Sequence, residues 1–166
     1  MKRIDEVLNE LKKFSSDLLT LNPPVDQRSI NYFEKKFNVE LPDDYKYLLS
    51  KTNGLGLMGD EILGIFNLPL VEDLITVYQF EHFEVIYPQY NYLIPFSPDG
   101  GGNFYCFDTS KKTNGDHSTE IVFWTSNYEY TESDVPEITH NCLADFIQEC
   151  IIECTLEDYN YDGNEK

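Results

Sequence analysis

Three stretches of this 166-residue chain carry residue types and spacings that could do chemistry. Gly54-Leu55-Gly56-Leu57-Met58-Gly59 matches G-x-G-x-x-G, whose glycines let a backbone approach a pyrophosphate when a strand leads in and a helix leads out. Here a helical pattern precedes the run and a strand pattern follows it, so a flexible helix-to-strand connection is expected and not a dinucleotide site. Asp158-Tyr159-Asn160-Tyr161-Asp162-Gly163 offers oxygens at positions 1, 3 and 5 and glycine at 6, as a calcium loop does. The closing glutamate of such a loop would fall past Lys166, and a solvated acidic tail is expected instead. Cys142, Cys150 and Cys154, with His140, could supply four zinc ligands. Cys150 and Cys154, however, share an apolar stripe with Phe146 and Ile151, where free cysteine behaves as a small hydrophobe. No Cys-x-x-Cys spacing occurs, and reduced, buried thiols are expected for all four cysteines, Cys106 included.

Nucleophilic catalysis needs a Ser, Cys or Thr beside an oriented base, and the histidines are His82, His117 and His140. None stands in a recognisable signature. Ser97 precedes Pro98 without G-x-S-x-G around it, His117 lies in a polar loop, and the carboxylates are too numerous to single out a pair. The expectation is therefore no catalytic residue, no cofactor and no metal. Because triads are defined by geometry, an unrecognised hydrolase stays open as an alternative.

The elements that must position these residues divide the chain in two. Ile4, Val7, Leu8, Leu11, Phe14 and Leu18 recur at steps of three and four, predicting a long amphipathic helix that Leu21-Asn22-Pro23-Pro24 stops. A second helix is capped by Asp26, buries Ile30, Phe33 and Phe37, and ends at Asn38. A third begins around Pro42-Asp43-Asp44, buries Tyr45, Leu48 and Leu49, and ends at Asn53-Gly54. Beyond it the period drops to 2, predicting strands at Glu61 to Phe66, Tyr92 to Phe96, Asn103 to Asp108 and Glu120 to Thr125. The turns Ser97 to Gly102 and Lys111 to Asp116 are short, which favours an antiparallel meander. Pro69 to Gln89 reads either as a short helix through Leu70, Leu74, Val77 and Tyr78 or, from Phe83 to Tyr87, as a strand. Leu143, Phe146, Ile147, Cys150, Ile151 and Cys154 predict a closing helix packed on the sheet. The fold class is α+β, a single domain over residues 1–156 with an acidic tail at 157–166.

Charge narrows the function. The net formal charge is −18, and residues 51–166 hold 21 Asp/Glu against 4 Lys/Arg, whereas residues 1–50 hold 9 against 8. Such a surface repels phosphate backbones and anionic lipid headgroups, so neither nucleic acid nor membrane is an expected partner. It would speed encounter with a basic protein within a Debye length of ~8 Å at physiological salt. No apolar run approaches the roughly 20 residues that span a bilayer, and Met1 to Glu6 does not read as a secretory leader. A cytoplasmic protein is expected.

The order of marks then becomes recognisable. Ile30-Asn31-Tyr32-Phe33-Glu34, Leu41-Pro42-Asp43-Asp44-Tyr45-Lys46-Tyr47-Leu48-Leu49 and Asn53-Gly54 resemble the N-terminal signature of the SUKH superfamily. That grouping holds the fungal Smi/Knr regulators of cell-wall synthesis and many bacterial toxin-immunity proteins. Asp99 to Asp108 looks like its second mark, a glycine turn feeding an aromatic strand that ends in aspartate. Val122-Phe123-Trp124 and Leu143 to Ile151 are similar to its next strand and closing helix. The resemblance spans roughly residues 26–152 and implies helices around an antiparallel sheet, no catalytic residues, and binding in place of reaction.

Two roles follow from the resemblance. One is an immunity protein that occludes a cognate toxin domain, basic and nuclease-like; the other is a regulatory scaffold of the Smi/Knr type. The expected partner-binding face joins the glycine turn to neighbouring acids and aromatics: Asp99, Asn103, Tyr105, Asp108 and Trp124. For each of these residues the alternative is that it only shapes the turn or fills the core.

Overall fold

Ile4, Val7, Leu8 and Leu11 are all buried by helix α1 (Lys2–Leu11), as their spacing requires. The computed structural model describes residues 1–66, 68, 71–110, 119–131 and 133–166. In it α1 is shorter than its apolar stripe. The helix ends at Lys12, Phe14 is buried from a turn, and Leu19–Leu21 forms strand β1. Pairing overrides periodicity here: Leu19, Thr20 and Leu21 lie opposite Leu57, Gly56 and Leu55 of β2 (Leu55–Leu57). Helix propensities differ by only ~0.7 kcal/mol per residue among ordinary residues, so a ladder and a buried face outweigh them.

Helix α2 (Gln27–Phe37) opens on Asp26, whose carboxylate accepts from the Ser29 amide at 2.9 Å, and closes at Asn38 with φ 54°. Helix α3 (Asp43–Leu49) starts one residue later than expected, with Pro42 as its N-cap and Asp43 and Asp44 in the first turn. Gly54 does not terminate α3. It takes φ 76° at the entry to β2, where an added Cβ would lie 2.6 Å from the Ile62 carbonyl oxygen. The glycine-spaced run beyond it is not a loose connection. Leu55–Leu57 is β2 itself, and Met58 and Gly59, at φ 53° and 107°, turn it back into β3 (Asp60–Ile62).

Asp73 and Thr76 form a capping box at the start of helix α4 (Leu74–Phe83), so the helical alternative holds over those residues and Phe83 to Tyr87 is not a strand. Leu70, the Lys111 to Asp116 turn and His117 lie outside the described residues. Strands β4 (Leu93–Pro98), β5 (Phe104–Asp108), β6 (Ile121–Trp124) and β7 (Glu137–His140) form an antiparallel sheet in chain order. With β1-β2-β3 as a second antiparallel sheet, the fold is α+β. β7 escapes a pattern search because it is an edge strand of four residues with none fully buried.

The four-stranded sheet is covered on both faces. On one, Tyr45 from α3 and Phe146 from the closing helix pack against Phe96 and Phe107, with Phe96 and Phe107 stacked at 4.1 Å. On the other lie α4, Tyr90 and Tyr130, with Trp124 stacked on Tyr130 at 4.0 Å. The closing helix runs as α5 (Leu143–Phe146), a π-helical stretch at Ile147–Glu153, and α6 (Cys154–Asp158). The wider i→i+5 winding shifts the stripe. Cys106 and Cys142 are buried free thiols, but Cys150 is half-buried and Cys154 exposed, contrary to the expectation of four buried thiols. The last residues also turn back: Tyr161 lies 4.8 Å from the Phe14 ring, donates its hydroxyl to Glu10, and accepts from the Ser15 amide at 2.8 Å.

Candidate functional site

The histidines come first. His82 stacks on Tyr78 at 3.8 Å with Nδ1 3.0 Å from the Tyr78 carbonyl oxygen, and burial pushes its pKa down, so it is a neutral ring of the helix packing. His140 places Nε2 3.5 Å from Cys150 Sγ and 3.5 Å from a Glu149 carboxylate oxygen. A nucleophilic thiol in such a pair needs a depressed pKa. Burial instead pushes the Cys150 thiol up to about 11, with Cys154 and Glu149 adding to the effect. Ser97 spends its hydroxyl on the Glu61 carbonyl oxygen at 2.6 Å, tying β4 to β3. Among the described residues, no three His, Cys, Asp or Glu side chains converge as metal ligands.

The five residues expected on a binding face occupy four different places. Asp99 and Asn103 hold the β4–β5 turn: Asp99 accepts from the Gly101 and Asn103 amides at 2.7 and 2.8 Å and from Asn103 Nδ2 at 2.8 Å. Burial pushes the Asp99 carboxyl up, but these bonds outweigh it and hold it below the ordinary value. Asn103 also accepts from the Ser126 amide at 3.2 Å, joining this turn to the one after β6. Tyr105 faces the closing helix, against Phe146 at 4.8 Å and Phe123 at 5.3 Å. Asp108, buried at the far end of β5, accepts from the Ser110 amide and hydroxyl at 2.9 and 2.5 Å. Trp124 is 1% exposed under Tyr130. Asp99 and Asn103 therefore share a rim, while the other three do not reach it.

What that rim borders is a groove of about 620 Å³. Its long wall is α4, where Thr76, Phe80 and Glu84 form one i,i+4 stripe and Val77 and Glu81 the next, deeper one. Gly102, Phe104 and Ser126 make the facing wall. At the floor Glu81, 1% exposed, accepts from Ser126 Oγ at 2.7 Å and from Gln89 Nε2 at 3.4 Å. Burial pushes its carboxyl pKa up, and the two hydrogen bonds offset this only in part. Glu72 and Glu84 stand exposed at the edge. Among the described residues no Lys or Arg pairs with Glu72, Glu81 or Glu84, and none lines the groove.

Sequence reasoning missed these α4 carboxylates. The signal was present: Leu74, Val77, Tyr78 and Glu81 follow i, i+3, i+4, i+7, which puts a carboxylate on a buried helical stripe. Reading the segment as helix or strand alike concealed it.

A family model described as the SMI1 / KNR4 family (SUKH-1) matches residues 24–149. The chain belongs to this family. No curated protein matches it. The groove, from Val71 to Ser126, falls wholly inside the matched span of the SMI1 / KNR4 domain, whereas α1 and the residues after Glu149 lie outside. The family marks have structural work in this domain. Tyr45 donates its hydroxyl to the Leu63 carbonyl oxygen at 2.5 Å. Asn53 donates to the Ile65 carbonyl oxygen at 2.9 Å and accepts from the Ile65 amide at 2.7 Å. Both marks thus clamp α3 to the segment that leads into α4. No helix among the described residues is long and apolar enough to cross a membrane.

Proposed function

We propose that this SMI1 / KNR4 domain is an immunity-type protein that binds a basic, nuclease-like toxin domain in the cytoplasm and blocks it by occlusion, without changing a covalent bond. The observation that carries the reading is the groove beside α4, whose three carboxylates have no cationic partner among the described residues. They sit in the part of the chain with 21 acids against 4 bases. Nucleases are basic where they hold phosphates, so an acidic face competes for the same surface. The chemistry of the histidines and thiols supports binding over catalysis, since the thiol beside His140 is disfavoured as a thiolate.

Affinity capture from the native cells, followed by mass spectrometry and stopped-flow association of the captured partner, tests it. The expected partner is a basic toxin domain whose activity falls to background in the complex and whose association rate drops steeply with added salt. Salt-independent association would count against the electrostatic face. Capture of a resident cell-wall or signalling enzyme would move the protein to the regulatory role, and product turnover by the purified chain would end the binding-only reading.

A further inference from the structure

We propose that the α4 groove receives an arginine side chain from the polypeptide partner, its guanidinium between Glu84 at the rim and Glu81 at the floor and its stem along Phe80. The inference rests on the proposed function in taking the partner to be a basic polypeptide, and it assigns the chemistry of the contact.

Four observations lead to it. The groove has apolar walls, with Val77 and Phe104 inside and the Phe80 ring 50% exposed along it. A ring face with carboxylates beyond it suits a planar cation on an apolar stem better than it suits a compact ammonium. Glu81 holds its carboxylate out of bulk water with Ser126 and Gln89 as its hydrogen-bond partners among the described residues, and a carboxylate so placed gains most from a cation delivered to it. Both oxygens keep lone-pair capacity beyond those two bonds.

The surroundings indicate a polypeptide in preference to a free amine. Ile86 and Tyr87 stand 79% and 38% exposed beside the groove, and their amides both donate to Asn127 Oδ1, at 3.0 and 3.1 Å, which packs this loop against the turn that carries Ser126. Tyr128 on the same turn is also exposed. Such residues around a recessed polar contact resemble the apolar surround that shields an interface anchor, and a lone arginine would leave them uncovered.

The test uses the full chain and the peptide acetyl-Leu-Arg-Leu-amide, followed by amide chemical shifts. The expected result is saturable shifts at Thr76, Phe80, Glu81, Gly102 and Ser126, with the citrulline peptide weaker by about tenfold or more and the lysine peptide intermediate. Glu84→Lys, at an exposed helix end where folding is not at risk, should abolish the shifts, and Glu81→Gln should weaken them. No shifts at millimolar peptide, equal binding of the citrulline peptide, or shifts centred elsewhere would overturn the proposal. Free arginine binding as tightly as the peptide would overturn the polypeptide source. The two readings fail separately: a toxin still neutralised by Glu84→Lys sinks the groove alone, and arginine-peptide binding by a chain that neutralises no toxin sinks the immunity role alone.

Discussion

Helix α3 and the groove beside α4 are both rich in carboxylates, yet they treat them oppositely. Around α3 the acids have partners inside the molecule: Lys46 reaches Asp43 at 3.2 Å and Glu34 and Glu40 at 3.7 Å each. Glu34 also accepts from the Leu41 amide at 3.0 Å, and Asp5 from the Tyr47 hydroxyl at 2.9 Å. Beside α4, Glu72, Glu81 and Glu84 border an open groove with no cation among the described residues. Other acids of residues 51–166 do serve the fold, Asp73 as a helix cap and Asp99 as the holder of a turn, but with 4 bases against 21 acids there, cations to neutralise a cluster such as the groove's are scarce.

The two regions meet at Gly64, and the largest predicted effect lies there. An added Cβ would come within 2.4 Å of the Asn53 carbonyl oxygen, a backbone atom that already accepts from Asn22 Nδ2 at 3.0 Å in a residue whose side chain is pinned to Ile65, while the Gly64 carbonyl accepts from the Leu74 amide at 2.9 Å. Gly64→Ala should therefore cost about 3 kcal/mol or more in urea unfolding, because the clash is with backbone and not with a side chain that could move. A cost below about 1 kcal/mol would show the clamp to be slack and the two regions independent.

Next in size is a pH effect in the closed region. Burial, opposed by the Tyr45 and Leu143 amides and the N-terminal amine, pushes the Asp44 carboxyl up to about 6 from an ordinary 3.8. A carboxyl whose folded pKa lies above its unfolded one stabilises fully below the unfolded value and loses that stabilisation as pH rises through the folded value. The wild type should thus lose stability relative to Asp44→Asn, by at most about 3 kcal/mol, as pH rises from about 4 to 7. Parallel pH profiles for the two proteins would mean that Asp44 is hydrated in solution.

Much of this architecture was legible in the residues, and the exceptions have physical causes. α2, α3 and strands β4 to β6 announce themselves through caps, prolines and regular periods. β1 and β2 do not, because each is three residues long and gains its identity from a partner about 35 residues away, as Thr20 does from Gly56. The closing helix was foreseen but not its π winding, which a 3.6-residue period cannot express and which turns Cys154 outward. For the candidate site, the glycine turn is legible, while the helix it faces is legible only as one of two alternatives, because its apolar run suits a helix or a strand. Asp99 spends its carboxylate on the turn itself and Asn103 ties that turn to Ser126, so both shape the rim, and the groove needs α4 beside it.

The smallest predicted effects differ in sign and so test the comparison most directly. Lys46→Met removes the shared partner of Glu34, Glu40 and Asp43, and since the Lys46 and Glu34 side chains are each 23% exposed the loss should be about 1 kcal/mol. Glu81→Gln should do the reverse. Burial raises the Glu81 carboxyl, so its ionised form weakens the fold as pH rises through that raised value, and a neutral amide that still accepts from Ser126 removes the penalty. At neutral pH the variant should melt slightly above the wild type while losing affinity for the arginine peptide, as expected of a residue kept for binding at a cost to stability. If Glu81→Gln instead melts lower and binds the peptide unchanged, Glu81 is a structural carboxylate like those around Lys46, and the two regions are alike after all.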